Sequence, residues 1–329
     1  MTKPRYILAL LALCALISIG GALAIGSAPL SWGDWWAALT GQNSGLAHVI
    51  LWELRLPRAL AAFATGGLLA LAGALMQVLL RNPLADPYIL GVSGGAASAA
   101  LLLMLIGASS SSIAGGAFAG AMLSMLLVFG LAHGRGNWTP TRLLLTGVVV
   151  AAGWGALISF VLAVSPLGNL RGMLFWLMGD LSDVGTPWPA LLVLGGGLLI
   201  CLPLARSLNV LVHGDLQARA LGVAVTPLRW SIYALAALFT ATAVALAGSV
   251  GFIGLIVPHL LRLIVGSDHR VMLPGAVLLG GALLTVADAL ARSLLAPQQL
   301  PVGVITALIG VPVFLYLLSR SVTRPASGS

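Results

Sequence analysis

Long apolar runs interrupted by short polar stretches dominate the pattern along the 329-residue chain. A helix crossing a bilayer core needs roughly 20 consecutive apolar residues. Runs near that length fall at about 6–25, 58–80, 92–107, 113–132, 143–164, 187–205, 231–249, 251–266, 272–294 and 301–319. The ten-residue alternation of a membrane β-barrel is absent. The pattern therefore predicts an all-α polytopic membrane protein, with one transmembrane domain over 1–329 and about ten helices.

The first run follows Lys3 and Arg5 and exceeds a signal-peptide core, so it reads as a retained span that starts in the cytoplasm. Ten spans bring both termini to that side. Of the 16 basic residues, this topology puts all inside except Arg55, Arg58, Arg171 and Arg292, as basic-residue topology requires. Most tryptophans, Trp138 and Trp230 among them, border the spans as an interfacial belt, and only Trp154 reads as mid-span.

Two polar segments are too long for turns. The outer one, 27–57, carries a tryptophan cluster and leads into Trp52-Glu53-Leu54-Arg55-Leu56-Pro57-Arg58. The inner one, 206–229, contains His213-Gly214-Asp215-Leu216-Gln217-Ala218-Arg219-Ala220-Leu221-Gly222 and reads as a short amphipathic helix stopped by Gly222. A faint echo links Ala70-Leu71-Ala72-Gly73 to Ala245-Leu246-Ala247-Gly248. An offset of five spans would make the halves inverted, a transporter plan, although chance matching in so alanine-rich a chain explains it nearly as well.

Composition agrees: 60% of residues are hydrophobic and 7% charged, with a mean hydropathy of +1.08. The 41 glycines suit close helix approach in lipid. The formal charge of +8 reads as membrane topology, not nucleic-acid binding. Cys14 and Cys201 lie in apolar runs and read as small buried hydrophobes rather than a metal site or disulfide.

Candidate chemistry is sparse. The single lysine, Lys3, closes no glycine-rich turn, so this chain lacks a P-loop and any ATP hydrolysis belongs to another subunit. No catalytic or metal-ligand constellation occurs; His259 reads as a structural histidine bonded to a carbonyl. Asp288 falls inside a span and is a candidate proton site for a secondary transporter, but Arg292 one turn later can neutralise it.

The stretch RNPLADPYILGVSGG, residues 81–95, breaks the pattern. Pro83 and Pro87 each remove a donor and push the preceding residue out of the helical region, so the helix ends there. Irregular backbone at membrane depth is tolerated only inside protein or along a water-filled path. The stretch reads either as a pathway wall or as a plain loop between spans.

Arg81–Gly95, together with Gly251-Phe252-Ile253-Gly254-Leu255-Ile256-Val257-Pro258-His259 and the run Leu300–Phe314, resembles the permease subunit of the iron-siderophore, heme and cobalamin group of ABC importers. The likeness runs from about Trp32 to Tyr316, and the layout is that of the cobalamin permease. The resemblance implies a type II importer permease in the bacterial inner membrane. Its implied partners are a second copy, two cytoplasmic ATPase subunits that bind ATP and Mg, and a periplasmic binding protein. No cofactor is implied for this chain itself. It also implies an inner gate at Asn82 and Leu84 with Pro140 and Thr141, where Pro140 departs from the more polar residues of the family. A coupling helix is implied at His213, Asp215, Leu216, Arg219, Leu221 and Gly222, and binding-protein docking at Arg55, Arg58 and Arg292. The expected cargo is a metal chelate, with a ferric siderophore first on the Asp86-Pro87-Tyr88 variant, then cobalamin and heme.

Overall fold

The structure is a computed structural model that describes residues 4–26, 31–40, 45–133 and 139–322. Of the residues used above for topology, Lys3, Arg135, Trp138 and Arg324 lie outside the described residues. The elements are helices, and no strand occurs among the described residues. In chain order they are α1 (Pro4–Ala24), α2 (Trp32–Thr40), α3 (Leu46–Leu79), α4 (Val92–Leu105), α5 (Ser110–His133), α6 (Pro140–Val164) and α7 (Leu167–Leu177). They continue with α8 (Trp188–Leu211), α9 (Asp215–Ala220), α10 (Val225–Ala247), α11 (Ile253–Val265), α12 (His269–Ser293) and α13 (Val302–Val322).

Seven of these are long and apolar enough to cross a bilayer, and α4, α11 and α13 add three shorter apolar helices. Each coincides with one of the ten apolar runs. The shorter elements α2, α7 and α9 occupy the connections. By alternation of the spans, the start of α1 and the end of α13 share one end of the bundle, here the terminal end; the opposite end is the far end.

Within the outer segment 27–57, residues 31–40 and 45–57 are described and are mostly helical. It holds α2 and the first turns of α3, a 34-residue helix that runs through Pro57. A proline inside a helix removes a donor and crowds the carbonyl four residues back. The chain absorbs this by widening Val49–Arg55 into a π-helical stretch immediately before it.

Helix α3 is the axis of the bundle. From Ala59 to Leu79 it is almost wholly buried, and α8, α10, α11 and α12 pack around it. Backbone contact is what allows this crowding: a Cβ built on Gly66 would lie 2.1 Å from the Gly280 carbonyl oxygen, and one on Gly280 would lie 2.5 Å from that of Gly66. Helices α4 and α5 meet in the same way through Gly95 and Gly120. In lipid, where burial of apolar surface gives no drive between helices, such approach and its van der Waals contact hold spans together.

By contrast α6 is nearly bare, with Leu145, Val148, Val149 and Phe160 exposed, and α13 exposes Leu308, Ile309 and Leu315. Such faces require lipid or protein against them. Cys14 is exposed on α1 and Cys201 buried in α8, and neither forms a disulfide.

The packing yields a direct test. Gly66→Ala is expected to destabilise the detergent-solubilised protein by about 2 kcal/mol through overpacking. Gly195→Ala, where an added Cβ meets nothing within 4 Å, is expected to be neutral or slightly stabilising. Thermal unfolding of the two variants side by side checks both.

Candidate functional site

Helix α3 ends in a Schellman motif. The Arg81 amide donates to the Val78 carbonyl at 3.2 Å and the Asn82 amide to that of Gln77 at 3.1 Å. Arg81 sits at φ 48°, the left-handed position that glycine ordinarily fills. Beyond it Asn82 Oδ1 accepts the Leu84 amide at 2.9 Å, and Asp86 Oδ1 accepts the Tyr88 amide at 2.7 Å to cap a 3-10 turn, Pro87–Leu90. Gly91, at φ 69°, then opens α4.

This segment re-enters the bundle. A Cβ on Gly254 would meet Pro87 Cδ at 2.8 Å and the Leu69 carbonyl at 2.9 Å. Leu69 is ten residues before the end of α3, roughly 15 Å along the helix. Of the two readings left open by the sequence, the plain loop is thereby set aside. A second break, between α10 and α11, meets the first: Ser93 Oγ lies 2.7 Å from Ser249 Oγ, and the Val250 amide donates to the Tyr88 hydroxyl at 3.2 Å. Ser124 donates to the Gly91 carbonyl at 2.8 Å and accepts the Trp154 indole N–H at 2.9 Å, which gives the mid-span tryptophan its partner.

Pro140 and Thr141 form the first turn of α6, capped by Thr139, whose Oγ1 accepts the Arg142 amide at 3.3 Å. The contact between α6 and the re-entrant segment is farther in, where a Cβ on Gly147 would lie 2.4 Å from the Ile89 carbonyl.

The inner segment folds as expected, into α9. Gly222, at φ 79°, terminates it in a second Schellman motif: its amide donates to the Arg219 carbonyl, and the Val223 amide to that of Ala218. Ala218 is buried, while Leu216 and Leu221 are 86% and 71% exposed, so two leucines project from the terminal end without cover. His213 Nδ1 lies 2.9 Å from the Asn209 carbonyl. Asp215 does not project: its carboxylate is bonded by Arg81 and, at 2.8 Å, by Arg229 of α10.

At the far end the structure corrects the picture of Arg55, Arg58 and Arg292 as outward rim charges. Arg55 and Arg292 are each only 5% exposed. Arg58 grips the Asp288 carboxylate with Nε and Nη2 at 2.9–3.1 Å and gives Nη1 to Gln299 at 2.8 Å. Arg292 Nε lies 3.1 Å from the same carboxylate. The last carbonyls of α1 take the rest: Leu23 and Ala24 accept from Arg55 at 2.7 and 3.2 Å, and Ala22 from Arg292 at 3.1 Å. A helix C-terminus carries unpaired carbonyls and partial negative charge, so cations belong there. The three arginines line a recess of about 230 Å³ with Ser182 and Gln299. A partner's carboxylate would reach them by entering it.

The Nδ1 of His259 is buried without a hydrogen-bond partner among the described residues. The sequence alone does not point to Arg81, Arg229, Tyr88 and Gln299 for these roles. Arginine in the C′ position of α3 was the readable signal for the first; for the others the partners are too distant in sequence to be inferred from spacing.

Removing a single member of a buried ionic cluster strands the others, at a cost of about 3 kcal/mol. Asp288→Asn is therefore expected to lower the melting temperature clearly, whereas Glu53→Gln, at an exposed position, leaves it nearly unchanged.

The FecCD transport family matches over residues 10–320. The chain is 40% identical to the hemin transport system permease protein HmuU of Yersinia pestis, with 97% of this chain and 96% of that protein covered. It is 44% identical to the cobalamin import system permease protein BtuC of Halobacterium salinarum, over 83% and 74% of the two chains. A metal-chelate type ABC transporter solved in an inward-facing conformation superposes with a TM-score of 0.83 at 32% identity, covering 97% of this chain and all of that one. A family match over nearly the whole length, on a bundle whose ten apolar helices and re-entrant break fit it, leads to one conclusion: the chain belongs to the FecCD transport family of ABC transporter permease subunits, which are not themselves enzymes.

Proposed function

We propose that the chain is the translocation subunit of an ATP-driven, binding-protein-dependent importer of a metal chelate in the bacterial inner membrane. The observation that carries this reading is the re-entrant segment 85–91, irregular backbone that enters a ten-span bundle of the FecCD family behind the exposed Asn82 and Pro83. Two copies pair through the bare apolar faces, with α6 and α13 the best candidates. The termini face the cytoplasm, as the basic-residue count requires. Two ATPase subunits, which bind ATP and Mg, seat on Leu216 and Leu221 of the coupling segment 206–229. Asn82 and Leu84, with Pro140 and Thr141, form the cytoplasmic gate. The binding protein docks at the far end by placing carboxylates in the three-arginine recess.

Cargo is proposed at the level of class: a chelate of the hemin, cobalamin or siderophore kind. Asp86-Pro87-Tyr88 no longer favours a siderophore, because Asp86 caps its own turn and Tyr88 braces the second break. A proton-coupled carrier built on Asp288 is not favoured, since that carboxylate is the shared counter-ion of Arg58 and Arg292.

In proteoliposomes the complex with ATPase and binding protein is expected to take up one of radiolabelled hemin, cyanocobalamin or ferrichrome strictly with ATP. Uptake by this chain alone under a proton gradient would contradict the proposal. Arg58→Gln is expected to weaken binding-protein association about tenfold and flatten its salt dependence, because charged groups at such contacts steer and orient docking. Surface plasmon resonance at two ionic strengths measures this; unchanged affinity would refute the docking assignment.

A further inference from the structure

At the terminal end the first residue of α9, Asp215, joins three stretches of the chain. Its carboxylate is held by Arg81 of the gate loop and Arg229 of α10. The three come from separate stretches: Arg81 is 134 residues from Asp215, and Arg229 is 14. A carboxylate engaged by two guanidinium groups is already matched inside its own subunit, with one positive charge in excess. It is therefore poorly suited to bind an ATPase side chain, unlike the uncovered Leu216 beside it.

Arg81 points the same way. It occupies the left-handed C′ position of α3 next to Asn82, a backbone conformation that disfavours any side chain. A glycine there would end the helix more easily but would leave α9 unattached to the gate loop. Arg229, near the start of a helix packed along α3, holds the other side of Asp215.

We infer that Asp215 is a positioning residue that latches the coupling helix to the gate loop through Arg81, with Arg229 as the anchor, so that a displacement of α9 is passed to Asn82 and Leu84. The inference rests on the permease reading above and deepens it: Leu216 and Leu221 receive the motion, and the Asp215–Arg81 pair delivers it.

Two measurements test it. In the first, spin labels on Asn82→Cys and Gln217→Cys, in a background with Cys14 and Cys201 replaced by serine, report the distance between loop and helix in the purified complex. The distribution is expected to be narrow with the native pair and to broaden with Arg81→Gln or Asp215→Asn, but not with Arg219→Gln. An unchanged distribution overturns the latch whatever the transport result.

In the second, the variants are assayed in proteoliposomes with the partner ATPase and binding protein, using whichever of hemin, cyanocobalamin or ferrichrome the native complex imports. Arg81→Gln and Asp215→Asn are each expected to keep the ATPase bound and hydrolysis within twofold, while cutting uptake per ATP at least tenfold. The double variant should be no worse than either single one, and Asp215→Glu should restore at least half. Multiplying losses in the double variant, or loss of the ATPase from the Asp215→Asn complex alone, overturns the inference. If the native complex imports none of the three, the permease reading is at fault, and the distance measurement still decides the latch.

Discussion

Inside a bilayer no water is at hand to satisfy a backbone amide or carbonyl, so a chain that breaks its helices there must supply every partner from itself. That constraint organises this molecule. The segment after α3 turns back toward the level of Leu69 and is closed by its own side chains, with Asp86 on the Tyr88 amide and Asn82 on that of Leu84. The break between α10 and α11 is set against it, so that each covers the other through Ser93, Ser249 and Tyr88. Ser124 and Trp154 complete the enclosure at Gly91. The glycine contacts along α3 matter for the same reason, since only close backbone approach leaves no gap around irregular chain.

The ion pairs among the described residues lie at the two ends, and each end uses them differently. At the far end one aspartate and three arginines bind α1, α3 and α12 together, and the recess between them keeps an excess of positive charge. At the terminal end Asp215 gathers two arginines from the loop after α3 and from α10, leaving apolar Leu216 and Leu221 to face outward. The arrangement separates parts that hold the subunit together from parts free to meet partners.

Much of this is legible in the sequence. Length and apolarity fix the ten spans, Pro83 and Pro87 announce the break, and Gly222 marks the end of α9, because each acts through local sterics or transfer energy. What escapes has a physical reason. The outer segment 27–57 reads as a polar connection, yet its last turns already belong to α3, which runs on through Pro57 behind a π-helical stretch. The depth of Arg55 and Arg292 depends on the carbonyl end of α1, and that of Arg58 on Asp288, 230 residues away. Local pattern carries no information about such partners.

A gate at the re-entrant segment of an ATP-driven permease opens and closes with nucleotide, which disulfide formation between Leu84→Cys residues of two copies reads, in the assembled complex with ATPase and without Cys14 and Cys201. Cross-linking is expected in one nucleotide state and not in the other, the cross-link is expected to stop uptake, and reduction to restore it. Cross-linking that ignores nucleotide, or full uptake through a cross-linked pair, would contradict such a gate.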